Sequence, residues 1–252
     1  MEPSRTSVVT GAGRGIGAAI ARHLSAHGHR VALTARTQSE LDATASTLVG
    51  PTMVVAADLT NGDDVDRLFS LVENEWGPVE ILAANAGVAR SAPLARTDDE
   101  LWDLHINVNL TAAFRCVRRT VPRMVSNDWG RVIVTGSTTS RAGAPYVSAY
   151  AASKHGLLGL VRAVAAEVAG SGVTINAVCP GFVDTDLTDT SVANIAAATG
   201  ATEETARDRL AHMQGHGQFI TSDEVARAVL YLACEGSING QSLVIDGGTL
   251  LS

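Results

Sequence analysis

The 252-residue chain is expected to fold as one α/β domain built on a doubly wound, seven-stranded parallel sheet. Two observations carry that expectation. Short β-branched runs alternate with longer amphipathic stretches from end to end, with no linker, internal repeat or low-complexity segment between them. The composition is 46% hydrophobic but only 4% aromatic. That Ala-, Val-, Gly- and Leu-rich mix suits helices packed closely on a parallel sheet.

The elements follow in order. Thr6–Thr10 is a first strand, and a glycine-rich turn passes it into a helix over Ile16–His27. Arg30–Ala35 is the second strand. Thr37 and Glu40 then stand three apart, the spacing of a capping box, ahead of a helix over Ser39–Leu48. Thr52–Ala56 and the amphipathic stretch Asp63–Glu75 form the next pair. Ile81–Ala83 precedes a long helical run, Asp98–Ser126, whose start carries the same spacing in Thr97 and Glu100. Arg131–Thr135 leads to a helix over Tyr150–Ala169, and Thr174–Val178 is the sixth strand. The region from Asp184 to Phe219 is polar, rich in Thr and Ala, and has no strand. It is long for a connection and is expected to be a small helical substrate lid within the single domain 1–252. Ser222, followed by Asp223 and Glu224, caps a helix over Asp223–Ala233, and Ser242–Ile245 closes the sheet.

Charge and cysteine usage exclude several classes. Nineteen basic residues against 26 acidic ones give a net charge of −7, with no long basic run. Nucleic acid and anionic membranes are therefore not expected partners. The start MEPSRTSVVTG lacks the apolar core of a signal peptide, and no run of about 18 apolar residues exists to span a bilayer. Cys116, Cys179 and Cys234 are scattered and odd in number, which fits a reducing, cytoplasmic setting. No metal site is expected: His212 and His216 are four apart but lack an acidic third ligand. His105 and His155 read as packing or surface residues, and Cys179 as buried packing.

The turn between the first strand and helix is TGAGRGIG, Thr10–Gly17. Its glycines allow a tight turn and close backbone approach, and the helix that follows presents free N–H groups to an anion. The spacing departs from G-x-G-x-x-G, because the third glycine of that pattern would fall on Ile16. A strand–turn–helix of this kind holds a dinucleotide pyrophosphate. At the end of the second strand, where an acid would bond a ribose 2′-hydroxyl, stand Ala35 and Arg36. No carboxylate repels a 2′-phosphate there, and Arg14 and Arg36 carry the chemistry to bind one. NADP(H) is the expected cofactor, with NAD(H) as the alternative.

Taken together, the motifs resemble the short-chain dehydrogenase/reductase family across Thr10 to Gly248. The glycine loop with Gly11, Gly13, Arg14, Gly15, Ile16 and Gly17 matches its cofactor loop, and Asp58–Leu59 its adenine-side turn. ANAG, Ala84–Gly87, is similar to the family's NNAG, with Ala84 in place of the first asparagine and Asn85, Ala86 and Gly87 retained. VNL contains Asn109, GS contains Ser137, and YAASK contains Tyr150 and Lys154. PGFVDT, with Pro180, Gly181, Val183 and Thr185, is similar to the nicotinamide-side loop. The resemblance implies a Rossmann-like fold and a homotetramer in which Asp98–Ser126 and Tyr150–Ala169 pair between subunits. It also implies a catalytic set of Asn109, Ser137, Tyr150 and Lys154. Thr138, Thr139 and Ser140 stay open as partners of Ser137.

A tyrosine near pKa 10 is a poor acid–base catalyst at neutral pH. Lys154, one helical turn on, is expected to lower that value by its positive charge. The implied activity interconverts a ketone and a secondary alcohol, most similar to that of 3-oxoacyl thioester and polyketide ketoreductases. Carrier-protein reductases of the family carry basic residues before the fifth and sixth strands. Here those places hold Asn127, Asp128 and Trp129, then Gly170 and Ser171. A 3-oxoacyl-CoA or free ketone is therefore expected, with a carrier-protein substrate as the alternative. A non-catalytic NADP-binding regulator is disfavoured, because all four candidate groups are present.

Overall fold

The computed structural model describes residues 3–250. Seven strands form one parallel sheet: β1 (Thr6–Thr10), β2 (Arg30–Ala35), β3 (Thr52–Ala56), β4 (Ile81–Ala84), β5 (Gly130–Thr135), β6 (Val173–Pro180) and β7 (Ser242–Ile245). Their order is β3-β2-β1-β4-β5-β6-β7. The central strands are buried on both faces, which is why they read as continuous apolar runs. Neighbouring residues serve opposite layers. Val8 packs with Phe69, Val117 and Leu157 on one face, and Val9 packs with Ile20, Leu24 and Val229 on the other.

The helices on the Val9 face are α1 (Gly15–Ala26), α2 (Gln38–Ala45) and α9 (Ser222–Cys234); those on the Val8 face include α3 (Gly62–Trp76), α5 (Ala112–Ser126) and α6 (Ser148–Glu167). The expected run Asp98–Ser126 divides. A short α4 (Asp99–His105) passes through a π-helical segment, Ile106–Thr111, into α5. The region 184–219 folds as α7 (Asp186–Thr199) and α8 (Glu203–His212). They share a small apolar knot of Val192, Ala206 and Leu210, with Phe182 and Phe219 against it. Arg207 bonds Asp184 and Asp189 and lies 4.9 Å from the Phe219 ring centre.

Three expected caps are corrected. Thr37 is the N-cap of α2, but its side chain makes no capping bond. Its partner Glu40 lies instead beside the glycine loop, 3.9 Å from Arg14. The cap of α4 is Asp98, whose carboxylate accepts from Leu101 N–H at 2.8 Å, so Thr97 is displaced by the stronger acceptor next to it. The cap of α9 is Thr221 rather than Ser222, in a full capping box with Glu224.

The strand order reverses between β1 and β4. Their connections leave in opposite directions and open a crevice at the carboxyl ends of the strands, where an open α/β sheet binds its ligands.

Candidate active site

The glycine turn fills one side of that crevice. Gly11 has φ +62°, a left-handed conformation that side chains disfavour. A side chain at Gly17 would begin 2.1 Å from the Gly11 carbonyl oxygen, so only glycine allows the helix to start there. Asn85 locks the turn from β4. Its Nδ2 donates to the carbonyls of Thr10 and Gly11 at 3.1 and 3.3 Å, and its N–H and that of Ala86 both donate to Thr10 Oγ1 at 3.0 Å. Ala84 ends β4 in the core and needs no polar partner. The first turn of α1, from Gly15 and Ile16, thus presents its N–H groups to the crevice.

Around this cradle lie the other expected contacts. Arg36 is exposed at the end of β2. Arg14 is engaged with carboxylates: Nη1 lies 2.6 Å from Asp186 Oδ2, across to α7. Asp58 folds on itself, Oδ1 accepting from Thr60 N–H at 2.9 Å, and Leu59 is buried behind it. Pro180 continues β6 beside Ile245. Gly181 faces Gln214, Val183 pairs with Ile220, and Thr185 begins α7 with its methyl against Gly15. Gly13 faces Glu40.

Facing the cradle, four elements bring together the polar set. Ser137 stands two residues past β5 and caps a single 3-10 turn, Thr138–Ser140. Its Oγ accepts from Thr139 N–H at 3.2 Å and from Thr139 Oγ1 at 2.9 Å, which frees its own proton for the cleft. Tyr150 rises from the first turn of α6, its ring half-buried and its hydroxyl turned inward onto Ser137 and Thr139. Lys154 is buried and donates to the Thr135 carbonyl at 2.7 Å. Asn109 sits in the π-helical segment and stitches three elements. Its Oδ1 accepts from Val88 N–H at 2.8 Å, and its Nδ2 donates to Val88 O and Ser153 Oγ, both at 3.0 Å. Gly87 is the gap that lets Asn109 and Lys154 approach: a side chain there would meet both.

The electrostatics correct one expectation. The Tyr150 phenol is raised above its ordinary value, not lowered. Burial drives the rise, the hydroxyls of Ser137 and Thr139 oppose it, and Cys179 adds to it. Lys154 does not set the direction, because its ammonium is directed to the Thr135 carbonyl and lies 5.8 Å from the Tyr150 ring centre. Burial also pulls Lys154 down, to about 8.

The residues set aside in the sequence are placed as follows. Cys179 is fully buried. His155 is exposed and bonds the Ala151 carbonyl. His105 is buried against Tyr150, its ring centre 6.0 Å away. His212 and His216 bond backbone, and no group of three or more metal-binding side chains forms among the described residues. Ser153, Thr10 and Gln214 were not picked out from the sequence. Thr10 and Ser153 lie inside the TGAGRGIG and YAASK motifs and Gln214 within the polar connection, and none of the three was given a role of its own.

The short chain dehydrogenase family model matches residues 5–196. The chain belongs to this family. Among its relatives is the 3-oxoacyl-acyl-carrier-protein reductase MabA of Mycobacterium tuberculosis, 40% identical and covering 97% of this chain and 92% of the relative. The D-beta-hydroxybutyrate dehydrogenase of Rhizobium meliloti is 36% identical, with 97% and 98% covered. A variant actinorhodin polyketide ketoreductase solved with NADPH superposes with a TM-score of 0.92 at 32% identity, over 98% of this chain and 97% of that one. No helix among the described residues is long and apolar enough to cross a membrane.

Proposed function

We propose that this short-chain dehydrogenase is an NADP(H)-dependent oxidoreductase interconverting a ketone and a secondary alcohol. The observation that carries the reading is the convergence of Ser137, Tyr150, Lys154 and Asn109 on one side of a crevice whose other side is a glycine cradle at a helix N-terminus. The residues present fit a dinucleotide. The Gly11–Gly17 turn leaves backbone N–H groups for the pyrophosphate, and Arg36 is a cation at the ribose end with Ala35, not an acid, beside it.

When bound, NADPH supplies the hydride that reduces the carbonyl carbon. Ser137, with two hydrogen bonds accepted and its proton free, holds the substrate oxygen. Tyr150 donates its proton to that oxygen as negative charge develops, and burial keeps the phenol protonated through neutral pH for the task. Lys154 would hold the cofactor ribose and, through a water anchored at Asn109, would return a proton from solvent. In oxidation the same groups run in reverse. The 184–219 excursion is the substrate lid, and Arg14 ties it to the cofactor loop through Asp186.

The favoured substrate is a 3-oxoacyl-CoA or a free ketone, because the turns before β5 and β6 offer Asp128 and Ser171 rather than cations. A carrier-protein thioester is the second reading, favoured by the likeness to MabA. Cys116, Cys179 and Cys234 form no disulfide among the described residues, which fits a cytoplasmic enzyme, and the family likeness fits a homotetramer. The test is a kcat/KM comparison over 3-oxoacyl-CoA, carrier-protein thioester and simple ketone substrates with both cofactors. Reduction of none of them by NADPH overturns the activity. Replacing Arg36 by Ala should cost NADPH about 1.5–3 kcal/mol of binding and NADH little; equal wild-type affinity for the two cofactors would overturn the preference.

A further inference from the structure

The loop from Val88 to Ala92 borders the cleft between β4 and α4, and it is stitched down at every second residue. Val88 is held by Asn109, Arg90 by His105, and Ala92 by the Tyr146 carbonyl at 2.8 Å. The first tie belongs to the candidate catalytic set. The third reaches the 138–146 loop through a non-glycine residue at φ +67°, a conformation that persists only where neighbours enforce it. The middle tie is a histidine outside that set. His105 is fully buried at the end of α4. Its Nδ1 donates to the Leu101 carbonyl at 2.8 Å, its Nε2 accepts from Arg90 N–H at 3.0 Å, and its ring stands edge-on to Tyr150 at 74°.

We propose that His105 is a positioning residue for the ketone reaction: its neutral ring pins the 88–92 loop over the substrate side of the cleft and braces the Tyr150 ring. The inference rests on the activity proposed above. One donor and one acceptor are both in use, so only the neutral imidazole satisfies both partners. A proton on Nε2 would place an N–H against the Arg90 N–H and release the loop. The charged and titratable groups facing the ring are Arg90 on the loop and Tyr150 and Lys154 on α6. Burial holds the imidazole pKa below its ordinary value, the Leu101 carbonyl opposes this, and the Arg90 and Lys154 charges act with burial, so the neutral ring is favoured.

The test uses the full chain with His105→Val, which fills the space without an acceptor, and His105→Gln, whose carbonyl can accept from Arg90 N–H at any pH. Loss of one anchoring hydrogen bond predicts about a tenfold rise in KM for His105→Val, with a smaller change in kcat. His105→Gln should restore KM and abolish the acid limb of kcat/KM that the wild type shows. Hydrogen exchange supplies a readout independent of turnover. Protection factors of the Arg90 and Ala92 amides should fall in wild type as His105 protonates, and should stay pH-independent in His105→Gln. Unchanged protection through the His105 titration overturns the proposal, even if His105→Val fails to fold. A wild type that reduces no ketone, yet shows the pH-dependent loop release, would remove the activity and leave the anchor standing.

Discussion

A buried ammonium costs the fold what it gives the site. Lys154 loses its proton near pH 8 in the folded protein, against 10.5 for an ordinary lysine. Between those values the unfolded chain binds more protons than the folded one, so stability rises with pH across that window. Below pH 8 both states carry the charge and the full penalty is present. In Lys154→Met the group is gone, so the Tm difference, variant minus wild type, should fall steadily from pH 7 to pH 10.5 in scanning calorimetry. A pH-independent difference would place the charge in solvent. Tyr150→Phe removes only a hydroxyl, so packing and NADPH binding should survive while kcat drops by about 10²–10⁴-fold; near-normal turnover would exclude the phenol as the acid. Because burial raises the phenol, the reductive kcat should hold through neutral pH and decline on the alkaline side as the phenol loses its proton, with oxidation rising there. The four polar residues were legible in the sequence because the VNL, GS and YAASK motifs that hold them resemble those of a known family. The direction of the Tyr150 shift was not, since enclosure by Ser137, Thr139 and Cys179 is a property of three elements meeting.

At the scale of elements, the π-helical segment does what an α-helix cannot. An extra residue in one turn widens the helix at Asn109 and lets its amide reach Val88 and Ser153 together. The sequence gives a continuous helical pattern across Asp98–Ser126, and a single added residue leaves that pattern almost intact, so the break was invisible. Two caps were misplaced for a related reason: Asp98 and Thr221 compete with the hydroxyls of Thr97 and Ser222 one residue away, and backbone direction selects between them. The glycine turn was legible because close approach leaves no other choice of residue. Gly17→Ala would drive a methyl into the Gly11 carbonyl, so cofactor titration should show binding lost and unfolding should come at lower temperature; a variant binding NADPH normally would mean the cradle is looser than 2.1 Å requires. In the 184–219 excursion, Arg207 holds two exposed carboxylates and an aromatic ring. Each exposed pair contributes little alone, so Arg207→Ala should leave Tm within a few degrees while raising KM and speeding proteolysis within residues 184–219.

The whole molecule presents a stripe of unburied apolar side chains on one side. Phe114 and Val125 are eleven residues apart on α5, about three turns, and both are 41% exposed; Trp102 on α4 is 43% exposed. Gly159 on the neighbouring α6 has open space where a side chain would stand, as a closely approaching helix requires. The homotetramer proposed above would cover this side, and Phe114→Asp should then shift light-scattering mass to smaller species with the circular dichroism unchanged. An unaltered mass would put any interface elsewhere. Gly156 on the same helix is not open in this way: Leu110 from within the chain fills the space beside it. Strand order was legible as a class, because alternation of strands and helices forces parallel pairing, but which strand sits centrally comes from crossover handedness rather than from any residue. That order has a consequence for synthesis. The ribosome makes the middle of the sheet first: β1 emerges, β2 and β3 extend one flank, and the other edge of β1 waits. Ser7, Val8 and Val9 have no partner on that side until Ile81, Leu82 and Ala83 leave the exit tunnel. Over some seventy residues of translation, the nascent chain therefore carries one edge of a strand that ends up buried along its whole length uncovered, and chaperone engagement should peak in that interval and end once β4 docks.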